Sequence, residues 1–225
     1  MLFSYNQQTM SLATPTINAV LFDFGMVLTK PPDPASWERL KAVFSADEAS
    51  FHKAYWKHRD DYDRGTLKSQ GYWGEVANDL HKPLGSEALR ELIAADISLW
   101  TQPNQVMIDW AANLQRAGIK IGILSNMPDA MEVGIRDTFA WVEDFDHHTW
   151  SHRLLLAKPE AAIYRHAAEG LGLPPAEILF IDDREENIEA AVAVGMQAIQ
   201  YTNHDTFVRE MKERGLGGLL EPGTI

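Results

Sequence analysis

The 225-residue chain contains no cysteine. That excludes disulfides, thiolate metal sites and a cysteine nucleophile, and it fits a cytoplasmic protein. Basic residues are scarce: 20 Lys and Arg stand against 32 Asp and Glu, for a net charge of -12 and a pI of about 5.0. Such a chain is repelled by nucleic acid and by anionic membranes, so neither is an expected partner, and an anionic substrate needs a local cation or a metal. No apolar run approaches the ~18 residues of a membrane span. Residues 1–17 hold no Lys or Arg and no hydrophobic stretch, so they read as a flexible leader and not as a signal peptide. Repeats and low-complexity tracts are absent as well.

What is present is 45% apolar residues, enough for one large domain or for a core carrying an insert. Asn18 to Leu28 is a short apolar run and predicts a buried strand. From Pro31 to about Leu99 apolar residues recur at helical spacing, as in Trp37, Leu40, Val43 and Phe44, with turn signals at Pro34, Gly65, Gly71 and Lys82 to Gly85. Beyond Val106 the pattern alternates. Strands are predicted at Ile119–Leu124, Ile178–Ile181 and Met196–Tyr201. Helices are predicted at Val106–Ala117, Asp129–Ala140, Ala157–Leu171, Glu185–Val194 and Asp205–Arg214. Strands alternating with helices imply right-handed crossovers and a parallel sheet. The expectation is an α/β core from residues 18–30 and 103–225, with an all-helical insert over 31–102.

In an open parallel sheet, ligands bind at the carboxyl ends of the strands. The first strand ends at Asp23, the second at Ser125 and Asn126, the third at Asp182 and Asp183. Lys158 and Pro159 open the helix that precedes the third. Each alone has a plain explanation: a helix or turn cap for the acids and the serine, surface charge for the lysine. That explanation does not account for all four falling at one sheet edge. Together they could hold a hard cation through carboxylate oxygens, grip phosphate oxygens, and supply a carboxylate nucleophile.

The segments FDFGMVL, ILSN, AKPEAAIY and FIDDREENIEAAVAVGM resemble, in order and spacing, the four motifs of the haloacid dehalogenase-like (HAD) hydrolase superfamily, and the likeness runs from Asn18 to Tyr201. The resemblance implies a Rossmann-like core, a helical cap, and a Mg²⁺-dependent phosphatase acting on a small phosphorylated metabolite through an aspartyl-phosphate. It implies Asp23 as nucleophile and metal ligand, and the Gly25 carbonyl and Asp183 as further ligands. Ser125, Asn126 and Lys158 would meet the phosphoryl group, supported by Asp182 and Asn187. Gly25 departs from the pattern, because phosphatases of this family usually carry there a second Asp that protonates the leaving oxygen. Losing a general acid–base costs about 10²–10⁴ in rate, so the substrate needs a good leaving group or catalysis has been lost. FDFGMVL is similar to the FD-x-GNV start of sugar-1-phosphate phosphatases, with Met26 in place of Asn, which makes a sugar phosphate one possible substrate. The alternatives are a C–halogen hydrolase, against which the Asp182–Asp183 pair argues, and a non-catalytic binding protein. In the insert, Tyr55, Trp56 and Arg59 are the candidates to face the site. His147, His148 and His152 match no zinc spacing.

Overall fold

The structure, a computed structural model, describes residues 16–221, so nearly all of the expected leader lies outside the described residues. Five parallel strands form one sheet in the order β3-β2-β1-β4-β5: β1 Ala19–Phe22, β2 Lys120–Ser125, β3 His147–Trp150, β4 Ile178–Asp182 and β5 Gln197–Gln200. All four residues of the central β1 are buried, with Val20 and Phe22 entering one apolar cluster and Ala19 and Leu21 the other. A strand covered on both faces reads as an unbroken apolar run, because each of its alternating sides needs burial.

One face packs on α6 (Gln105–Arg116), α7 (Asp129–Thr138) and α11 (His204–Glu213), through side chains such as Trp110, Met131 and Phe207. The other packs on α9 (Ala161–Leu171) and α10 (Glu185–Ala193), through Tyr164 and Ala191. Between the faces lies a twisted α/β sandwich of Rossmann type.

Three expectations need correction. The first strand ends at Phe22, not Leu28. Asp23 stays extended, and Phe24–Leu28 then winds into a wide turn closed by the Thr29 N–H on the Phe24 carbonyl at 3.0 Å. The apolar run continues because Phe24, Val27 and Leu28 are buried within that turn. Second, β3 is an extra edge strand that pairs only with β2. Its two histidines break the apolar pattern that marks the other strands. Third, α9 begins at Ala161, after a turn that carries Lys158 and Pro159.

Five helices lie between the first strand and the first crossover: α1 Pro34–Phe44, α2 Glu48–Lys57, α3 Arg59–Arg64, α4 Ser69–Asp79 and α5 Ser86–Leu99. Asp33 and Asp47 cap α1 and α2, accepting from Ser36 N at 2.8 Å and Ser50 N at 3.0 Å, a contact worth ~1 kcal/mol at each helix start. These helices have their own aromatic core around Phe51, Tyr55, Tyr72 and Trp73. The two chain segments that join them to the sheet run side by side, with the Lys30 N–H on the Gln102 carbonyl at 2.7 Å and the Asp33 N–H on the Leu99 carbonyl at 2.9 Å. The far side is pinned to a short helix, α8 (Ser151–Leu154), at Gly65, where φ is +88° and a Cβ would come within 2.6 Å of the His152 backbone. Only glycine meets both demands.

Candidate functional site

Asp23 follows β1 directly, so its carboxylate emerges at the carboxyl edge of the sheet. Its Oδ1 accepts from the Phe24 N–H at 2.7 Å and lies 2.9 Å from Lys158 Nζ. Lys158 Nζ also donates to Asp182 Oδ2 at 2.6 Å. The other Asp182 oxygen accepts from the Arg184 N–H and from Asn187 Nδ2, both at 2.9 Å. Asp182 is fully buried, with both oxygens hydrogen-bonded. Its part is to hold the lysine.

Asn126 meets Lys158 in a two-way clamp: its Oδ1 accepts from the Lys158 N–H at 2.8 Å, and its Nδ2 donates to the Lys158 carbonyl at 3.0 Å. Both ends of the amide expected at phosphate are thus committed to the lysine's backbone. Ser125, at the end of β2, is buried, and its hydroxyl makes no hydrogen bond among the described residues.

Two carboxylates share one ammonium here, and a third lies beside them. Burial pushes Asp23 up to about 7, aided by the Asp182 and Asp183 charges and opposed by Lys158. Burial and Asp182 likewise raise Asp183. Burial pulls Lys158 down, but Asp182 and Asp23 outweigh it, so its pKa is raised and it stays charged. Oxygens of Asp23, Asp182 and Asp183 lie within 4.8 Å of one another. An all-oxygen set with surplus negative charge fits a hard divalent cation. Both Asp182 oxygens already accept hydrogen bonds, so Asp23 and Asp183 have the freer oxygens.

These groups floor a cavity of about 520 Å³ whose roof is the helical insert. Trp56 and Arg59 reach it as expected. Tyr55 does not: it is wholly buried, and its hydroxyl donates to Asp96 at 2.6 Å and accepts from Arg59 Nη1 at 2.5 Å. Sequence reading missed Trp100, Asp60 and Asp63, which also line the roof. Trp100 closes α5 where the chain returns to the sheet, and its position at that crossing is the signal that could have found it.

Gly25 has φ -64° and ψ 139°, a conformation open to any residue. What its missing side chain leaves is room. A Cβ there would touch the Trp100 indole at 3.8 Å, so the space beside Asp23 that a longer side chain would claim is bordered by an aromatic ring. The strained residue is its neighbour Met26, at φ 62°, where a side chain costs roughly 1–2 kcal/mol.

The three histidines go separate ways. His147 packs on His166, His148 Nε2 bonds the Val142 carbonyl at 2.7 Å, and His152 spans the Met127 carbonyl at 2.9 Å and Glu132 at 3.1 Å.

The sequence profile of haloacid dehalogenase-like hydrolases matches residues 17–195. A phosphatase of Mycobacterium tuberculosis is 26% identical over 218 residues, covering 92% of this chain and 98% of its own length. A sesquiterpene phosphatase of Aspergillus oryzae is 25% identical over 202 residues, covering 88% and 96%. Among solved structures, a HAD family enzyme of Bacteroides thetaiotaomicron superposes with a TM-score of 0.74 at 22% identity, over 87% of this chain and 98% of the other. The same enzyme has been solved with magnesium and inorganic phosphate, with a TM-score of 0.66 at 23% identity over 82% and 93%. At such identity the structural likeness speaks for the fold. With most of its length matched by the family profile, the chain belongs to the haloacid dehalogenase-like hydrolases.

Proposed function

We propose that the protein is a Mg²⁺-dependent phosphatase that hydrolyses small phosphate monoesters through a phosphoryl group carried on Asp23. The observation that carries this reading is the convergence on one cavity of Asp23, Lys158, the free Ser125 hydroxyl and Asp183. The phosphatase names of the relatives that match this chain nearly end to end support it, as does the magnesium and phosphate bound by the structural neighbour.

Asp23, Asp183 and the Gly25 carbonyl would hold Mg²⁺, which when bound supplies positive charge to the transferring phosphoryl oxygens. Asp23 attacks phosphorus, the bond to the ester oxygen breaks, and the alcohol leaves. Lys158, held in place by Asp182 and Asn126, neutralises the phosphoryl group, and Ser125 Oγ donates a hydrogen bond to it. Asn187 fixes Asp182 from behind. Water then attacks phosphorus, releases phosphate and restores the Asp23 carboxylate. With Gly25 offering no acid, the leaving oxygen takes its proton from solvent, so esters of more acidic alcohols and phenols react faster.

The test is phosphate release from a series of monoesters with and without Mg²⁺. Turnover that stops in chelator and in Asp23→Asn is expected. Undiminished phosphate release in chelator would refute the metal's role, and metal-free halide release from a 2-haloacid with no turnover of any ester would favour C–halogen chemistry. Absence of turnover on every ester, with Mg²⁺ bound, would favour a non-catalytic binding protein, the reading to which Gly25 lends weight.

A further inference from the structure

The roof of the cavity carries information about the group that leaves. Trp56 stands 45% exposed, although Phe51, Tyr55, Tyr62, Tyr72 and Trp73 of the insert are buried. It packs edge-on against Tyr55 at 5.0 Å and lines the cavity. Trp100, also in the lining, borders the empty position at Gly25. Met26, Met127 and Met131 complete an apolar wall. Thioethers and indoles make an adaptable surface suited to hydrocarbon, and an indole left in water next to a reaction centre gains by being covered.

The charged groups of the lining point the same way. Each of its cations is already paired: Arg59 with Asp63 at 2.7 Å and Asp96 at 3.2 Å, Lys158 with Asp23 and Asp182, and Arg184 with Glu186. Asp60 and Asp63 add negative charge to the roof. Within the cavity lining, a second phosphate or a carboxylate on the leaving group would meet only Arg184 as a loosely paired counter-charge, its contact with Glu186 being exposed, and would face the acids of the roof. A polyol could bond to Asp60 and to the second oxygen of Asp63, but it would set its other hydroxyls against methionine and tryptophan without partners.

We propose that the substrate is the phosphate monoester of an uncharged, apolar alcohol or phenol, with its hydrocarbon body held between Trp56 and Trp100. The proposal rests on the phosphatase reading and narrows it away from sugar phosphates, nucleotides and carboxylated metabolites. The Gly25–Trp100 contact joins the two halves: the residue position that would protonate the leaving oxygen borders an apolar ring instead, so the site gives up proton donation where it gains hydrocarbon contact.

The experiment compares benzyl phosphate with glycerol 3-phosphate, both primary alkyl esters, so that polarity is tested apart from leaving-group acidity. A farnesyl monophosphate is the third arm. Benzyl phosphate should exceed glycerol 3-phosphate at least tenfold in kcat/KM. Trp56→Ala should raise KM for benzyl phosphate about fivefold and shrink that preference, with circular dichroism confirming the fold. Benzyl ahead of farnesyl assigns an aromatic body, and farnesyl ahead assigns an open chain; either supports the proposal. Equal or better turnover of glycerol 3-phosphate overturns it. Binding is read independently by tryptophan fluorescence of the Asp23→Asn protein with Mg²⁺. Lack of turnover on every ester would defeat the phosphatase reading, and the order of affinities would then decide this one: no preference for the apolar esters overturns it.

Discussion

The sheet edge and the helical roof both bury a cation among acids, and they do so to opposite ends. In the roof, Arg59 donates to Asp63 and to Asp96, Tyr55 bonds to Asp96 and Arg59, and the guanidinium lies 6.0 Å from the Trp100 ring. That network is saturated, and it holds α2, α3 and α5 in register. At the sheet edge, Lys158 is shared by Asp23 and Asp182, while Asp183 adds a third negative charge that feels Lys158 and Arg184 but forms a salt bridge with neither. Where every acid touches the cation the cluster holds structure, whereas a third acid left outside the ion pairs creates a demand for a further cation beside the carboxylate proposed as nucleophile. The difference separates the part of the molecule that reacts from the part that closes over it.

Changes at Asp23 should break the comparison most completely. Asp23→Asn keeps the shape but removes the proposed nucleophile, and kcat should fall by roughly 10⁴-fold or more in a phosphate-release assay. Folding should survive, because the variant also relieves repulsion among the three acids.

Next in size is the balanced cluster. Arg59→Met leaves Asp63 and Asp96 buried without their cation, and thermal or urea unfolding should show a loss of about 3–5 kcal/mol. Adding Asp96→Asn should recover part of that loss. A stability unchanged by Arg59→Met would mean that the roof cluster is no more structural than the sheet-edge one.

The two regions also differ in how they answer to pH. Asp23 lies at about 7 in the folded chain, above its ordinary carboxylate value of 3.8. The folded state therefore binds more protons than the unfolded state between those values, and stability falls as pH rises through that window. Asp183 is shifted in the same direction. The midpoint of metal-free unfolding should accordingly be lower above pH 7 than below it, and excess Mg²⁺ should lessen the drop by binding the ionised acids. Asp63 in the roof, at about 6, gives a drop of the same sign that Mg²⁺ does not touch. A pH dependence wholly insensitive to Mg²⁺ would remove the distinction.

The smallest effects are expected beside the nucleophile. Gly25→Ala fits its backbone and meets Trp100 only at van der Waals distance, so stability should change by less than about 1 kcal/mol and tend upward. Met26→Gly should relieve the left-handed strain and stabilise by about 1 kcal/mol. A large loss in either would mean that the turn is held by contacts other than these.

The core and its motif residues were legible because β1, β2 and β4 are short apolar runs closed or followed by a polar residue, and burial on both faces enforces that pattern. The parallel sheet and the approach of Asp23, Lys158, Asp182 and Asp183 follow from it. Edge strand β3 was not legible, since one partner strand and two histidines give it no apolar signature. The end of β1 was obscured because Phe24, Val27 and Leu28 are as buried in a turn as they would be in a strand. The roof was legible as helices but not as a surface. Tyr55 and Trp56 are adjacent aromatics on one helix, yet the first is wholly buried in the Arg59 network and the second faces the cavity. Only three-dimensional packing decides which is which, by setting Tyr55 among Trp37, Tyr72 and Trp73 and bonding it to Asp96. Gly25 stood out in the sequence as a missing acid, and the ring that borders its empty place comes from 75 residues further along the chain.

The central claim is that the unbalanced acids at the sheet edge, with Mg²⁺, pass phosphate through Asp23. The most direct measurement is a rapid acid quench of the protein turning over an aryl phosphate, followed by peptide mass spectrometry. One phosphoryl group on the peptide containing Asp23, present with Mg²⁺ and absent both in chelator and in Asp23→Asn, is the expected result. Steady phosphate release by Asp23→Asn, or a phosphoryl group found on a different residue, would contradict it.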